Sequence, residues 1–143
     1  AMAKLGAQVL ALDNDSIAVQ STHDAVNRNG VEQQVTVMEG SLGHGSDLGH
    51  WLNGDTIKNV PTIEPTAAFD LIVANILARV HIALAPDFRR ALRQTDTQAG
   101  TLILSGFSSD YEDAVTTSLN KEGFEVIDCE RLDEWVAVAY SLQ

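Results

Sequence analysis

Three short segments carry the polar residues of this sequence best suited to chemistry. Asp13-Asn14-Asp15-Ser16 follows the apolar run 8–12. A carboxylate in such a place can accept both hydrogen bonds of a ribose diol, as acids do in nucleoside-cofactor sites. The same tetrapeptide has helix-start chemistry, so Asp15 or Ser16 is expected to cap a helix while Asp13 is left for a ligand. Glu39-Gly40-Ser41-Leu42 follows a second run. There a glycine permits close approach and Ser41 can present backbone and hydroxyl to a base edge; a plain turn is the other reading. Asn75-Ile76-Leu77 ends a third run. An amide is both donor and acceptor, suited to holding a nucleophilic nitrogen by its proton while the lone pair stays free. Its other reading is a helix N-cap.

Other candidates are weaker. Gly43-His44-Gly45-Ser46-Asp47-Leu48-Gly49 resembles a phosphate loop, but its third glycine falls one residue late and no helical pattern follows it. His44 and His50 share that loop with Asp47 and Asp55 at a spacing that is no zinc signature, so no metal site is expected. His23 and His81 fall in helical segments and read as surface or satisfied core residues. Cys129 has Arg131 as its basic neighbour and reads as a small buried apolar residue, so no Cys/His or Ser/His/Asp arrangement is supported.

The elements that must position these residues follow from periodicity. Strands are expected at 8–12, 34–38, 69–74, 101–104, 124–127 and 135–140, and helices at 16–28, 76–93 and 109–122. Gly30 stops the first helix. Pro86 is expected to kink or split the second, and Ser109 with Glu112 to cap the third as a capping box. The strand at 101–104 should end at Ser105-Gly106, and the almost wholly apolar last strand should be covered on both faces. The alternation gives an α/β fold, a mostly parallel sheet with helices on both faces and an antiparallel last pair. The segment 43–68 reads as a long loop insertion.

The chain has 143 residues, 45% apolar and 20% charged, with a formal charge of −11. That length suits one domain of 1–143. No apolar run approaches the ~18 residues of a membrane span, and the single cysteine fits a reducing cytoplasm. So acidic a surface disfavours direct nucleic-acid binding and favours a basic protein partner.

Taken in order, Lys4-Leu5-Gly6-Ala7, Val9-Leu10-Ala11-Leu12-Asp13-Asn14-Asp15, Asn27-Arg28-Asn29-Gly30-Val31, Glu39-Gly40-Ser41-Leu42, Phe69-Asp70-Leu71-Ile72-Val73-Ala74-Asn75-Ile76-Leu77, Leu102-Ile103-Leu104-Ser105-Gly106 and Glu134-Trp135-Val136-Ala137 resemble a known family. It is the C-terminal catalytic domain of the methyltransferases that trimethylate the eleventh protein of the large ribosomal subunit. The resemblance implies a Rossmann-like class I methyltransferase fold and S-adenosyl-L-methionine (SAM) as cofactor. It also implies a Lys or N-terminal amine of a basic ribosomal protein as acceptor. Asp13 would bind the ribose hydroxyls with Asn14 beside it, and Gly40, Ser41 and Leu42 would lie by the adenine. Asn75, with Ile76, would face the transferred methyl and the incoming amine. Displacement at a sulfonium methyl needs alignment and desolvation more than an acid or base, which suits a sequence without a catalytic dyad.

The family's first strand and glycine-rich turn should lie upstream of Ala3-Lys4-Leu5-Gly6-Ala7, and Ala1-Met2 reads like a tag remnant before a start residue. The expectation is therefore an N-terminally truncated domain that binds SAM weakly or not at all. Its two exposed apolar sheet edges should pair with each other in a closed-up sheet or join two copies in a homodimer. Rival readings are a non-catalytic binding or oligomerisation module, and a methyltransferase of the same fold with a different acceptor.

Overall fold

In the computed structural model, which describes residues 1–43, 62–64, 66–95 and 97–143, the chain divides into two units. The first opens with a 3₁₀ helix at Met2–Leu5 and is built from β1 (Val9–Asp13), α1 (Ser16–Asn29) and β2 (Val35–Glu39). β1 and β2 pair in parallel from Val9 opposite Val35 to Asp13 opposite Glu39. Both strands run one residue beyond the apolar runs that mark them, because a ladder is made by backbone groups and tolerates a polar side chain at its end. The Asp15 carboxylate caps α1, accepting from the Ile17 N–H at 2.8 Å. Gly30, at φ 62°, closes the helix: its N–H donates to the Asn27 carbonyl at 3.1 Å, and the Val31 N–H donates to the Val26 carbonyl at 3.3 Å. The left-handed conformation there favours glycine.

Two short strands follow, β3 (Ser41–Leu42) and β4 (Thr62–Ile63). The expected loop insertion, with its glycine-rich motif and His44, Asp47, His50 and Asp55, lies largely outside the described residues.

The second unit contains β5 (Leu71–Asn75), α2 (Ala78–Ala91), β6 (Thr101–Ser108), a 3₁₀ helix at Ser109–Tyr111, α3 (Glu112–Lys121), β7 (Phe124–Leu132) and β8 (Trp135–Leu142). Its four strands lie in the order β5-β6-β8-β7. β5 and β6 are parallel, and β8 runs antiparallel to both its neighbours, as the short Asp133-Glu134 connection requires. The core is formed by Leu102, Leu104 and Phe107 of β6, Val136, Val138 and Tyr140 of β8, Leu84 and Phe88 of α2, and Val115 and Leu119 of α3, all buried. The Tyr140 hydroxyl is satisfied by Thr116 Oγ1 at 2.9 Å.

Four expectations are corrected here. Pro86 does not split α2, which runs unbroken from Ala78 to Ala91. A proline removes the N–H that the carbonyl four residues earlier would accept, and that carbonyl, Ile82, takes the Ser118 hydroxyl of α3 instead, at 3.2 Å. The capping box at Ser109 does not form. Those residues make the 3₁₀ helix, and Glu112 is held by a bidentate Arg131 at 2.6 and 3.1 Å. β6 continues through Ser105-Gly106, where its register against β8 shifts between Leu104 and Phe107. Glycine here marks a bulge, not an end. β8 buries every second residue and leaves the others partly exposed, so one of its faces is fully covered and not both. Among the described residues β1 pairs with β2 and β5 with β6, and Leu71 and Val73 of β5 are 42% and 50% exposed.

Candidate functional site

In the first unit the carboxyl ends of β1 and β2 finish side by side, and the chain leaves β2 with the Gly40 N–H on the Asp13 carbonyl at 2.9 Å. Asp13 is exposed, and its Oδ1 accepts the Asp15 N–H at 2.9 Å. This turn fixes the direction of the carboxylate while leaving most of its acceptor sites for a ligand. Asp15 takes the capping role that the sequence left open between it and Ser16. Asn14 is exposed beside them, and Gly40 is buried.

In the second unit Asn75 ends β5 opposite Ser105 of β6 and is exposed. It does not cap α2; that place is taken by Leu77, which makes no side-chain cap bond. The bulge of β6 comes up against Asn75 directly. Gly106 sits at φ 87°, and a Cβ on it would overlap the Asn75 Oδ1 and lie 2.8 and 2.9 Å from the Ile76 carbonyl oxygen and nitrogen. Only glycine leaves room for this approach. The Ile76 N–H donates to the Ser105 carbonyl at 3.2 Å, carrying the ladder one step past the strand end.

A concave surface of about 320 Å³ opens next to this loop, lined in part by Leu77, Arg79, Gly106, Phe107, Tyr111 and Trp135. Tyr111 and Trp135 are each 55% exposed, so two aromatic faces flank it. The sequence reading gave no role to Gly106, Tyr111 or Trp135. The signal for Trp135 was its place in Glu134-Trp135-Val136-Ala137.

His81 belongs to the same corner. Its side chain is completely buried against the rings of Phe88 and Phe107, whose centroids lie 6.4 and 5.5 Å away. Nε2 stands 2.8 Å from the Ser105 carbonyl, and Nδ1 has no hydrogen-bond partner. A carbonyl only accepts, so Nε2 carries a proton. Burial holds the imidazolium pKa below its usual value, outweighing the Ser105 and Ile76 carbonyls that favour the cation. The expected satisfied core histidine is therefore satisfied at one nitrogen only. His23 is exposed.

Cys129 is part-buried rather than fully buried. Desolvation and the neighbouring Glu112 carboxylate push its thiol pKa up, which leaves it a poor nucleophile. Among the described residues no helix is long and apolar enough to cross a membrane.

Residues 1–142 match the family described as ribosomal protein L11 methyltransferase (PrmA). The chain is 47% identical to the ribosomal protein L11 methyltransferase of Chloroflexus aurantiacus over 98% of its own length and 43% of that protein's. It is 39% identical to the protein of the same name from Herpetosiphon aurantiacus, over 96% and 42%. It thus spans less than half the length of these curated relatives. Among solved structures, a ribosomal protein L11 methylase from Lactobacillus delbrueckii subsp. bulgaricus superposes with a TM-score of 0.70 at 26% identity, covering 98% of this chain and 61% of that one. A SAM-dependent methyltransferase from Aquifex aeolicus, at 14% identity, shares the fold with a TM-score of 0.58, covering 94% and 68%.

Proposed function

The chain belongs to the ribosomal protein L11 methyltransferase family, and on that premise we propose that the intact protein transfers methyl groups from SAM to amines of ribosomal protein L11, at lysine side chains or the N-terminus. The observation that carries this reading is the corner at Asn75: an exposed amide held against a glycine bulge, beside an aromatic-flanked hollow.

The residues present suit the group. Asp13 offers a carboxylate fixed by the Asp15 N–H with acceptor capacity to spare for a diol, and Asn14 stands beside it. The Gly40, Ser41 and Leu42 backbone leaves β2 next to it, for the base; in the second unit, taken by itself, Asn75 with Ile76 would face the transferred methyl. Bound SAM would supply an electrophilic methyl on a positively charged sulfur, with the neutral thioether as the leaving group.

The protein's part is alignment. The Asn75 amide oxygen accepts one N–H of the acceptor amine, which turns the nitrogen lone pair toward the methyl. Leu77, Phe107, Tyr111 and Trp135 pack along the aliphatic stem of a lysine and exclude water, and the two exposed aromatic faces favour a cationic product. No side chain needs to act as a base, since the proton leaves to solvent once the amine is bound. The formal charge of −11 complements a basic acceptor protein.

Incubation of the intact protein with purified ribosomal protein L11 and methyl-labelled SAM tests this. Label should appear on L11, at lysines or the amino terminus by mass spectrometry. Label absent from L11 but present on another basic protein would move the acceptor elsewhere, and none on either would end the methyltransferase reading.

A further inference from the structure

Buried polar groups that a mechanism does not use are uncommon enough to require an account, and His81 is the one in the second unit that sits against the active corner. Its Nε2 donates to Ser105 O at 2.8 Å, and the same oxygen accepts the Ile76 N–H at 3.2 Å. One carbonyl therefore ties together the first turns of α2, the residue that follows Asn75 and the start of the β6 bulge. The next residue in that bulge is Gly106, whose missing Cβ leaves the space occupied by the Asn75 Oδ1. The Phe88 and Phe107 rings pack against the completely buried imidazole, so it has little freedom to reorient. Stability alone does not explain a histidine here: an apolar side chain of similar size would fill the space without leaving Nδ1 unpaired.

We propose that His81 is a positioning residue for Asn75: by pinning the Ser105 carbonyl it fixes the bulge that sets the direction of the Asn75 side-chain amide. The proposal rests on the reading of Asn75 as the group that orients the acceptor amine. His81 touches neither cofactor nor acceptor. It acts through the peptide of Ser105 and Gly106, holding the amide in place before the amine arrives.

Three variants of the intact protein test it. In His81→Leu the hydrogen bond is lost but the core stays filled, and the Ser105 carbonyl keeps the Ile76 N–H. The melting temperature should hold or rise, while kcat for methyl transfer to L11 falls by about 10-fold, within the roughly 10²-fold that a misplacement of ~1 Å can cost. The KM for SAM should not change. His81→Gln places an amide N–H near the position of Nε2 and should restore most of kcat. In an Asn75→Ala background, His81→Leu should have no further effect on kcat.

A readout independent of catalysis is the Asn75 side-chain amide resonance, which should shift or broaden in His81→Leu and return in His81→Gln. An unchanged Asn75 resonance in His81→Leu overturns the proposal. So does a loss of kcat that is as large without Asn75 as with it. If Asn75→Ala alone turns over at the wild-type rate, the reading of Asn75 fails, while the resonance still reports whether His81 sets its direction.

Discussion

Asp13 and Asn75 end parallel strands in the two units, yet they are held by different means. Every fully buried apolar residue among those described lies between Ala78 and Leu142, in the second unit. In the first unit α1 buries none, and the strands β1 and β2 are part-buried at best. Asn75 therefore stands on a packed core, reached through Gly106, Ser105 and His81. Asp13 stands on backbone hydrogen bonds: a five-residue ladder, an N–H from Asp15, and a helix capped one turn away. Orienting a reacting amine requires a group fixed to within a fraction of an ångström, and a core supplies that. A diol asks only for a carboxylate pointing the right way, which a turn can provide.

The largest expected effect tests whether the second unit alone is core-bound. Leu104→Ala should cost about 2–5 kcal/mol in urea unfolding, whereas Val35→Ala in β2 should cost about 1 kcal/mol. Equal losses would erase the contrast.

A smaller pair sharpens it. Asp15→Ala removes the α1 cap and Ser118→Ala strands the Ile82 carbonyl, each worth about 1 kcal/mol. Amide hydrogen exchange should speed locally in α1 for the first. For the second it should speed across both α2 and α3, because that bond joins two helices of one core.

The smallest effect is a pH dependence confined to the second unit. The His81 pKa is lowered on folding, so the neutral ring contributes stability that is present above the unfolded value of 6.5 and lost as pH falls below it. The unfolding midpoint should drop on acidification through that range, and His81→Leu should flatten the drop. A slope unchanged by that substitution would place the titrating group elsewhere.

Where the sequence carries both a periodicity and a stop, the elements were legible. Asp13, the Asp15 cap, Gly30 and Asn75 all sit where their spacing puts them, within a residue or two. The antiparallel closing pair followed from a connection too short for a crossover. What escaped was tertiary. Pro86 looks like a helix breaker until Ser118, 32 positions later, takes the carbonyl it frees. Ser105-Gly106 looks like a strand end, and only the approach of Asn75 shows that the glycine makes room for a bulge. Glu112 three residues after Ser109 is a capping-box pattern, but Arg131 competes for the carboxylate and holds it. Nothing in the sequence separated His81 from an ordinary core residue, because its importance lies in which carbonyl it reaches.

The division of labour between the two strand ends is tested most directly by comparing Asp13→Ala and Asn75→Ala in the intact protein, with L11 as acceptor. Asp13→Ala should raise the KM for SAM by about 10- to 100-fold, the worth of a charged hydrogen bond, with kcat near wild type. Asn75→Ala should lower kcat by about 10²-fold and leave the KM for SAM nearly unchanged. Variants that lose kcat and KM together, or an Asn75→Ala enzyme with wild-type kcat, would contradict it.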